Sequence, residues 1–107
     1  MPPGALLAIA IAVEVGATIS LRYSDGFSKP LPSAIVIAGY AISFYLLALV
    51  LRDISVSTAY AVWSGAGTAA VALIGMALLG EPATAVKLGA IGLIIAGVIA
   101  LNLSGAH

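Results

Sequence analysis

Four long apolar segments dominate the sequence and limit the folds that it can adopt. They span about residues 4–21, 33–51, 54–79 and 83–104, and each is long enough to cross a hydrocarbon core of ~30 Å as a helix. Charged residues make up only 7% of the chain, against roughly 25% in an ordinary soluble domain. We therefore predict an all-α membrane protein with one four-helix transmembrane domain over residues 1–107.

Short connections separate these segments and determine how they are arranged. Asp25-Gly26 and Gly80-Glu81-Pro82 are typical of turns and helix ends, and Ser33 is predicted to cap the second helix. Because short connections join antiparallel neighbours, both ends of the chain should lie on one side of the membrane. The two sides differ little in positive charge, so a single orientation and a mixed population both stay open.

The residue types that are missing or scarce exclude several classes of function. There is no cysteine, which rules out disulfides, thiol chemistry and cysteine-ligated metals. The one histidine, His107, cannot form a metal site by itself, and we expect it in an exposed tail. Four Lys or Arg residues balance four Asp or Glu residues, so no basic patch indicates nucleic acid. We expect neither an enzyme nor a metal protein.

Glu14 is the one charged side chain deep inside an apolar segment. An ionised carboxylate at the bilayer centre costs roughly 2.5–3.5 kcal/mol on insertion scales, and such residues mark cation or proton sites. A carboxylate that holds a proton cannot easily bind a cation at the same time, which is a physical basis for antiport. The alternative is a permanently protonated Glu14 that hydrogen-bonds across helices. Helical spacing places these residues on its face: Leu7, Ala10, Ala17, Thr18 and Leu21.

Aromatic residues in the second and third segments are suited to complete a cation site. Tyr60 and Trp63 share one helix face, and Tyr40, Ser43 and Phe44 share another. Aromatic faces attract cations by roughly 0.5–2 kcal/mol, although aromatic residues also mark membrane interfaces. The predicted set of substrate- and proton-binding residues is Glu14, Trp63, Tyr60, Tyr40, Thr18, Ser43 and Phe44.

Small residues in the third and fourth segments indicate close contacts between helices. Gly65 and Gly67 favour either a helix kink or close packing. Four short-connected helices cannot easily enclose a wide polar cavity, so we expect a second copy of the chain. The fourth segment is predicted to form that dimer contact, with packing inside the monomer as the alternative. The predicted contact residues are Gly89, Gly92, Ala96, Gly97 and Ala100.

Several stretches of the sequence together match one known family: Ala12–Val15, Tyr23–Phe27 with Pro32-Ser33, Thr58–Gly67, Ala96–Val98 and Asn102-Leu103. Through them, and over nearly its whole length, the sequence resembles the small multidrug resistance family of bacterial exporters. The resemblance implies an antiparallel homodimer in the bacterial cytoplasmic (inner) membrane, surrounded by lipid, that exports organic cations in exchange for protons. It implies no cofactor beyond the coupling proton.

The resemblance also implies individual roles and a branch of the family. It assigns the role of the essential membrane glutamate to Glu14. It assigns the substrate-contacting aromatics to Trp63, Tyr60 and Tyr40, and the kink glycines to Gly65 and Gly67. The guanidinium-exporting branch typically has Trp at the position of Ala17 and tends to lack a Tyr at that of Tyr40. Both differences favour the quaternary-ammonium branch. A guanidinium or polyamine exporter, a small membrane subunit that transports nothing alone and a cation channel are the alternatives.

Overall fold

The part of the chain that the structure describes folds into four helices. A computed structural model describes residues 2–103, and of Asn102 it describes only the backbone. The helices are α1 (Pro3–Tyr23), α2 (Pro30–Val50), α3 (Val56–Leu78) and α4 (Ala85–Leu103). The predicted all-α fold is therefore confirmed. The predicted tail at His107 and the end of the fourth segment at residue 104 lie outside the described residues.

Three of the helices are clearly long and apolar enough to cross a membrane. α1 and α2 have 21 residues each and α3 has 23, whereas about 20 apolar residues suffice for a span. The fourth helix is shorter and is apolar over Ala85–Leu101, which is near the lower limit of roughly 17 residues. Large side chains such as Ile37 and Leu93 are exposed on these helices, as expected for a surface that faces lipid.

α2 begins three residues earlier than the sequence predicts. Lys29 is the N-cap and Pro30 is the first helical residue. Ser33 lies inside the helix, where its hydroxyl donates to the Lys29 carbonyl at 2.6 Å, so the prediction that Ser33 caps α2 is wrong. Proline has no N–H, and Pro30 and Pro32 therefore remove two of the donors that a cap would satisfy.

The predicted Asp-Gly turn joins α1 to α2. Asp25, Gly26 and Phe27 have φ angles of 49°, 69° and 65°, a left-handed conformation that reverses the chain direction in a few residues. The buried Ser24 holds this turn against the end of α1. Its hydroxyl donates to the Leu21 carbonyl at 2.7 Å and accepts the Phe27 N–H at 3.1 Å.

The helices pack as two hairpins, and along the sequence the boundary between them falls between Ile54 and Ser55. α1 packs along α2 in the first hairpin, and α3 packs along α4 in the second. In the first hairpin, a Cβ on Gly39 would lie 2.8 Å from the Ala17 Cβ, so the helices approach closely there. That residues 1–107 form a single domain stays a prediction.

The second hairpin is defined by a cap at its start and a glycine at its turn. The Ser55 hydroxyl accepts the Thr58 N–H at the start of α3. After Leu78 the chain turns at Gly80, whose φ is 70°, and the Gly75 carbonyl accepts the Glu81 N–H at 3.2 Å. The predicted stop at residues 80–82 is therefore confirmed. Left-handed φ is nearly free of strain only for glycine.

Candidate functional site

Glu14 lies at the middle of α1 and is half-buried. It is the one acidic side chain located in a helix within the described residues. Leu7, Ala10 and Ala17, which were predicted to share its face, are buried. The carboxylate thus lies beside a surface of small and apolar side chains that packs in the hairpin.

Two hydroxyl groups link Glu14 to the neighbouring helix. The Thr18 hydroxyl donates to Oε1 of Glu14 at 2.8 Å. The same hydroxyl oxygen lies 2.8 Å from Oη of Tyr40 on α2. Three of the predicted site residues, Glu14, Thr18 and Tyr40, are therefore brought together as a hydrogen-bonded chain across the first hairpin.

The close approach of α1 and α2 is what allows this chain to form. Gly39 directly precedes Tyr40, and Ala17 directly precedes Thr18. Because Gly39 has no Cβ, the Ala17 side chain can lie almost against the α2 backbone. The sequence prediction missed Gly39, although the glycine beside a predicted site tyrosine is the kind of residue that permits such an approach.

The Glu14 carboxylate keeps most of its accepting capacity after its bond to Thr18. An ionised carboxylate has two oxygens with about four acceptor sites in all, and Thr18 uses one of them. The apolar side chains around it provide a low dielectric, in which the attraction between a carboxylate and a cation is much stronger than in water. This arrangement is suited to binding one positive charge, whether a proton or an organic cation.

Phe44 and Ser43, the other predicted residues of α2, have different surroundings. The Phe44 ring lies one helical turn from Tyr40, with 6.4 Å between ring centroids and an interplanar angle of 34°, and it is largely exposed. Ser43 is fully buried, and its hydroxyl donates to the Tyr40 carbonyl at 3.0 Å. That Ser43 and Phe44 contact the substrate stays a prediction.

The remaining aromatic candidates lie on α3 in the second hairpin. Trp63 is half-buried and Tyr60 is exposed, and they are three residues apart on one helix face. Their participation in the Glu14 site stays a prediction. α3 is helical without interruption through Gly65 and the buried Gly67, and a Cβ on Gly65 would lie 2.6 Å from a methyl of Val98. Close packing at Gly65 is thus present, and a functional kink stays a prediction.

The small residues of α4 lie away from its contact with α3. All five predicted dimer residues are exposed: Gly89, Gly92, Ala96, Gly97 and Ala100. A Cβ added at any of the three glycines would meet no atom within 4 Å in the described structure. By contrast, Ile94 and Val98 are the side chains that face Gly65 on α3. The small-residue surface is therefore available for another partner.

No cluster of metal-ligating side chains occurs among residues 2–103. The other acidic residues of this range, Asp25, Asp53 and Glu81, lie in the connections. Glu81 is paired with Lys87 at 3.9 Å, and both side chains are partly exposed. Apart from Arg22 and Lys87, which lie near helix ends, the described helices therefore offer one carboxylate, hydroxyl groups and aromatic rings.

Comparison with known proteins gives one family. A model described as Small Multidrug Resistance protein matches residues 5–94. A multidrug transporter of Pseudomonas aeruginosa is 50% identical over 97 residues, which cover 91% of this chain and 88% of that protein. The quaternary ammonium compound-resistance protein QacE of Escherichia coli has the same identity and coverage. A guanidinium exporter of Yersinia pseudotuberculosis is 43% identical over 99 residues, which cover 92% of this chain and 95% of the exporter.

Proposed function

The chain belongs to the Small Multidrug Resistance family and is a multi-pass bacterial membrane protein of the drug-efflux kind, and from this premise we propose that it exports hydrophobic organic cations in exchange for protons. The observation that carries the proposal is the single acid inside the helices, Glu14, placed among small apolar side chains. One carboxylate cannot bind a proton and a cation with high affinity at the same time. Binding of either ligand therefore promotes release of the other.

The proposed substrates are quaternary ammonium and related lipophilic cations. Such ions have no N–H to donate, so they are recognised by charge and by aromatic faces, which Glu14 and Tyr40 offer in the first hairpin. We assign Trp63 and Tyr60 the same role from the second hairpin. A relative that is 50% identical is named for resistance to quaternary ammonium compounds, which supports this substrate class.

Export of guanidinium is the second candidate, because one relative that is 43% identical is named a guanidinium exporter. The structure gives a reason to prefer the first candidate. Ala17 lies close to Gly39, so this hairpin has no room for the large aromatic side chain typical of the guanidinium branch at this position. The tyrosine hydroxyl of Tyr40 is directed at Thr18 instead.

We further propose that the transporter is an antiparallel homodimer in which two Glu14 carboxylates share one site. The exposed small residues of α4, such as Gly92 and Ala96, are suited to close contact with another helix. Two identical protomers in opposite orientations exchange their conformations to open the site to either side of the membrane. In this scheme no part of the transport cycle needs a cofactor other than the proton.

Transport by the purified chain in liposomes tests the proposal. An outward-directed gradient of tetraphenylphosphonium or guanidinium is imposed, and proton counterflow is recorded with a pH-sensitive dye. We expect tetraphenylphosphonium to drive proton movement, Glu14→Gln to abolish it, and Asp53→Asn, an acid in an exposed connection, to leave it unchanged. Coupled transport by Glu14→Gln would refute the mechanism.

The same experiment separates the alternatives. Selective coupling to guanidinium would replace the proposed substrate class with the second candidate. Cation movement without proton counterflow would indicate a channel. An inactive but folded single chain would indicate a subunit that needs a different protein. Crosslinking between single cysteines introduced at position 92 or 96 tests the proposed dimer contact.

A further inference from the structure

The Thr18 hydroxyl lies between Glu14 and Tyr40 and has only one proton to donate. It donates that proton to Oε1 of Glu14. The hydrogen bond between Thr18 and Tyr40, at 2.8 Å, must then be donated by the Tyr40 hydroxyl. Both bonds therefore point the same way, from Tyr40 through Thr18 to the carboxylate.

We propose that Thr18 and Tyr40 are positioning residues that bias the competition between protons and cations at Glu14 toward the cation. A hydrogen bond donated to a carboxylate stabilises its ionised form, and the ionised form is the one that attracts a cation. Donation from Tyr40 polarises the Thr18 hydroxyl and makes it a stronger donor. Tyr40 thus acts on Glu14 without touching it. This inference rests on the proposed function, because it assumes that both ligands compete at Glu14.

Other groups of the first hairpin have little influence on this carboxylate. α2, the helix that packs along α1, has no charged side chain between residues 30 and 50, and its titratable side chains are Tyr40 and Tyr45. On α1 the other titratable side chains are Arg22 and Tyr23. The nearer of the two, Arg22, lies about 12 Å along the helix from Glu14, at about 1.5 Å per residue. Within this hairpin the two hydroxyls are therefore the groups that tune the site.

The pH dependence of cation binding tests the proposal directly. Tetraphenylphosphonium affinity is measured for the full chain in detergent, from acid to alkaline pH. Thr18→Val keeps the shape of the side chain and removes the hydroxyl. At alkaline pH we expect its affinity to equal or exceed that of the wild type. At acid pH, where protons compete, we expect roughly tenfold weaker binding, the lower limit for losing a hydrogen bond to a charged group.

Control variants separate this effect from altered packing. Thr18→Ser restores a hydroxyl and is expected to restore the wild-type profile. A weakening by the same factor at every pH in Thr18→Val would indicate a packing role and would overturn the proposal. If Thr18→Val does not fold, Thr18→Ala and Thr18→Ser form the test pair. Binding at alkaline pH shows in each case that the variant is folded.

A double-mutant cycle tests whether Tyr40 acts through Thr18. Tyr40→Phe alone is expected to weaken binding selectively at acid pH, by less than Thr18→Val. In the Thr18→Val background, Tyr40→Phe should add no further acid-selective loss. Independent losses that multiply would mean that the Tyr40 hydroxyl acts directly on the ligand, which would overturn the proposal. Tyr45→Phe, an exposed tyrosine of the same helix, is the matched control and should behave as the wild type.

Glu14→Gln distinguishes failure of this inference from failure of the proposed function. If Glu14→Gln loses pH-dependent binding while Thr18→Val follows the wild-type profile, the proposed function stands and the role of the hydroxyls is refuted. If Glu14→Gln still binds tetraphenylphosphonium with the wild-type pH dependence, the proposed function fails, and the inference fails with it.

Discussion

Substitution of Gly39 by alanine is the most informative change in the first hairpin. The new Cβ would lie 2.8 Å from the Ala17 Cβ and 3.7 Å from the Ala17 Cα, whereas carbon atoms in contact are about 3.5–4.0 Å apart. Ala17 has no flexible side chain that could move away. α1 and α2 must therefore separate by about 1 Å at this point to restore an ordinary contact.

The expected cost follows from two opposing effects. Overpacking of this kind destabilises by about 1–3 kcal/mol, and replacing glycine by alanine inside a helix stabilises by about 1 kcal/mol. Gly16→Ala is the matched control on the partner helix, because a Cβ there would meet no atom within 4 Å in the described structure. This control variant should gain only the stabilisation that comes from replacing glycine by alanine inside a helix. We expect Gly39→Ala to be less stable than Gly16→Ala by about 1–3 kcal/mol.

The same separation should disturb the site. The Thr18–Tyr40 distance of 2.8 Å would lengthen beyond hydrogen-bond range, so Gly39→Ala should reproduce the acid-selective loss of tetraphenylphosphonium binding expected for Tyr40→Phe. Stability is measured by thermal unfolding in detergent, and binding is measured over the same pH range. Equal stability of Gly39→Ala and Gly16→Ala, together with a wild-type binding profile, would refute the close approach of α1 and α2.

Two further substitutions test the second hairpin. Gly65→Ala places a Cβ 2.6 Å from a Val98 methyl and 3.3 Å from an Ile94 methyl and should therefore lower the unfolding temperature. Adding Val98→Ala should recover part of that loss. No recovery would show that Gly65 is needed for another reason. Gly80→Ala forces a non-glycine residue into φ 70° and should lower the free energy of unfolding by about 1–2 kcal/mol. Gly80→Asn is the control, because Asn tolerates this conformation and should lose less stability. Equal losses in the two variants would contradict backbone strain as the cause.

Hydropathy was sufficient to predict the helices, because a bilayer requires long apolar segments whose backbone groups are satisfied internally. It was insufficient for the start of α2. Pro32 and Ser33 form a typical helix-start signal, yet Pro30 can occupy the first helical position just as well, since its missing N–H has no partner there. The helix therefore begins at the first of the two prolines, and Ser33 becomes an interior residue.

The site was predictable one helix at a time. Periodicity placed Thr18 on the Glu14 face and put Tyr40 beside Phe44 along α2, because both relations depend only on helix geometry. It did not give the bond between Thr18 and Tyr40. That bond depends on which faces of two helices meet, and the apolar character of α1 and α2 on all sides leaves the meeting face undetermined. Gly39 and Ala17 determine it, through a contact that no periodicity predicts.

Position 17 determines how closely α1 and α2 can pack, and under the proposed function it thereby affects which cations are exported. Ala17 is buried at the contact with Gly39, where the guanidinium-exporting branch typically has a tryptophan. An indole at this position would need the space that the α2 backbone occupies at Gly39, so a chain with that larger side chain must pack α1 and α2 further apart or rotate one against the other. Either change removes Tyr40 from Thr18. In this chain the hydroxyl at position 40 therefore depends on the small residue at position 17, because the close approach of α1 and α2 brings Tyr40 to Thr18 and so gives Glu14 its chain of hydroxyl groups.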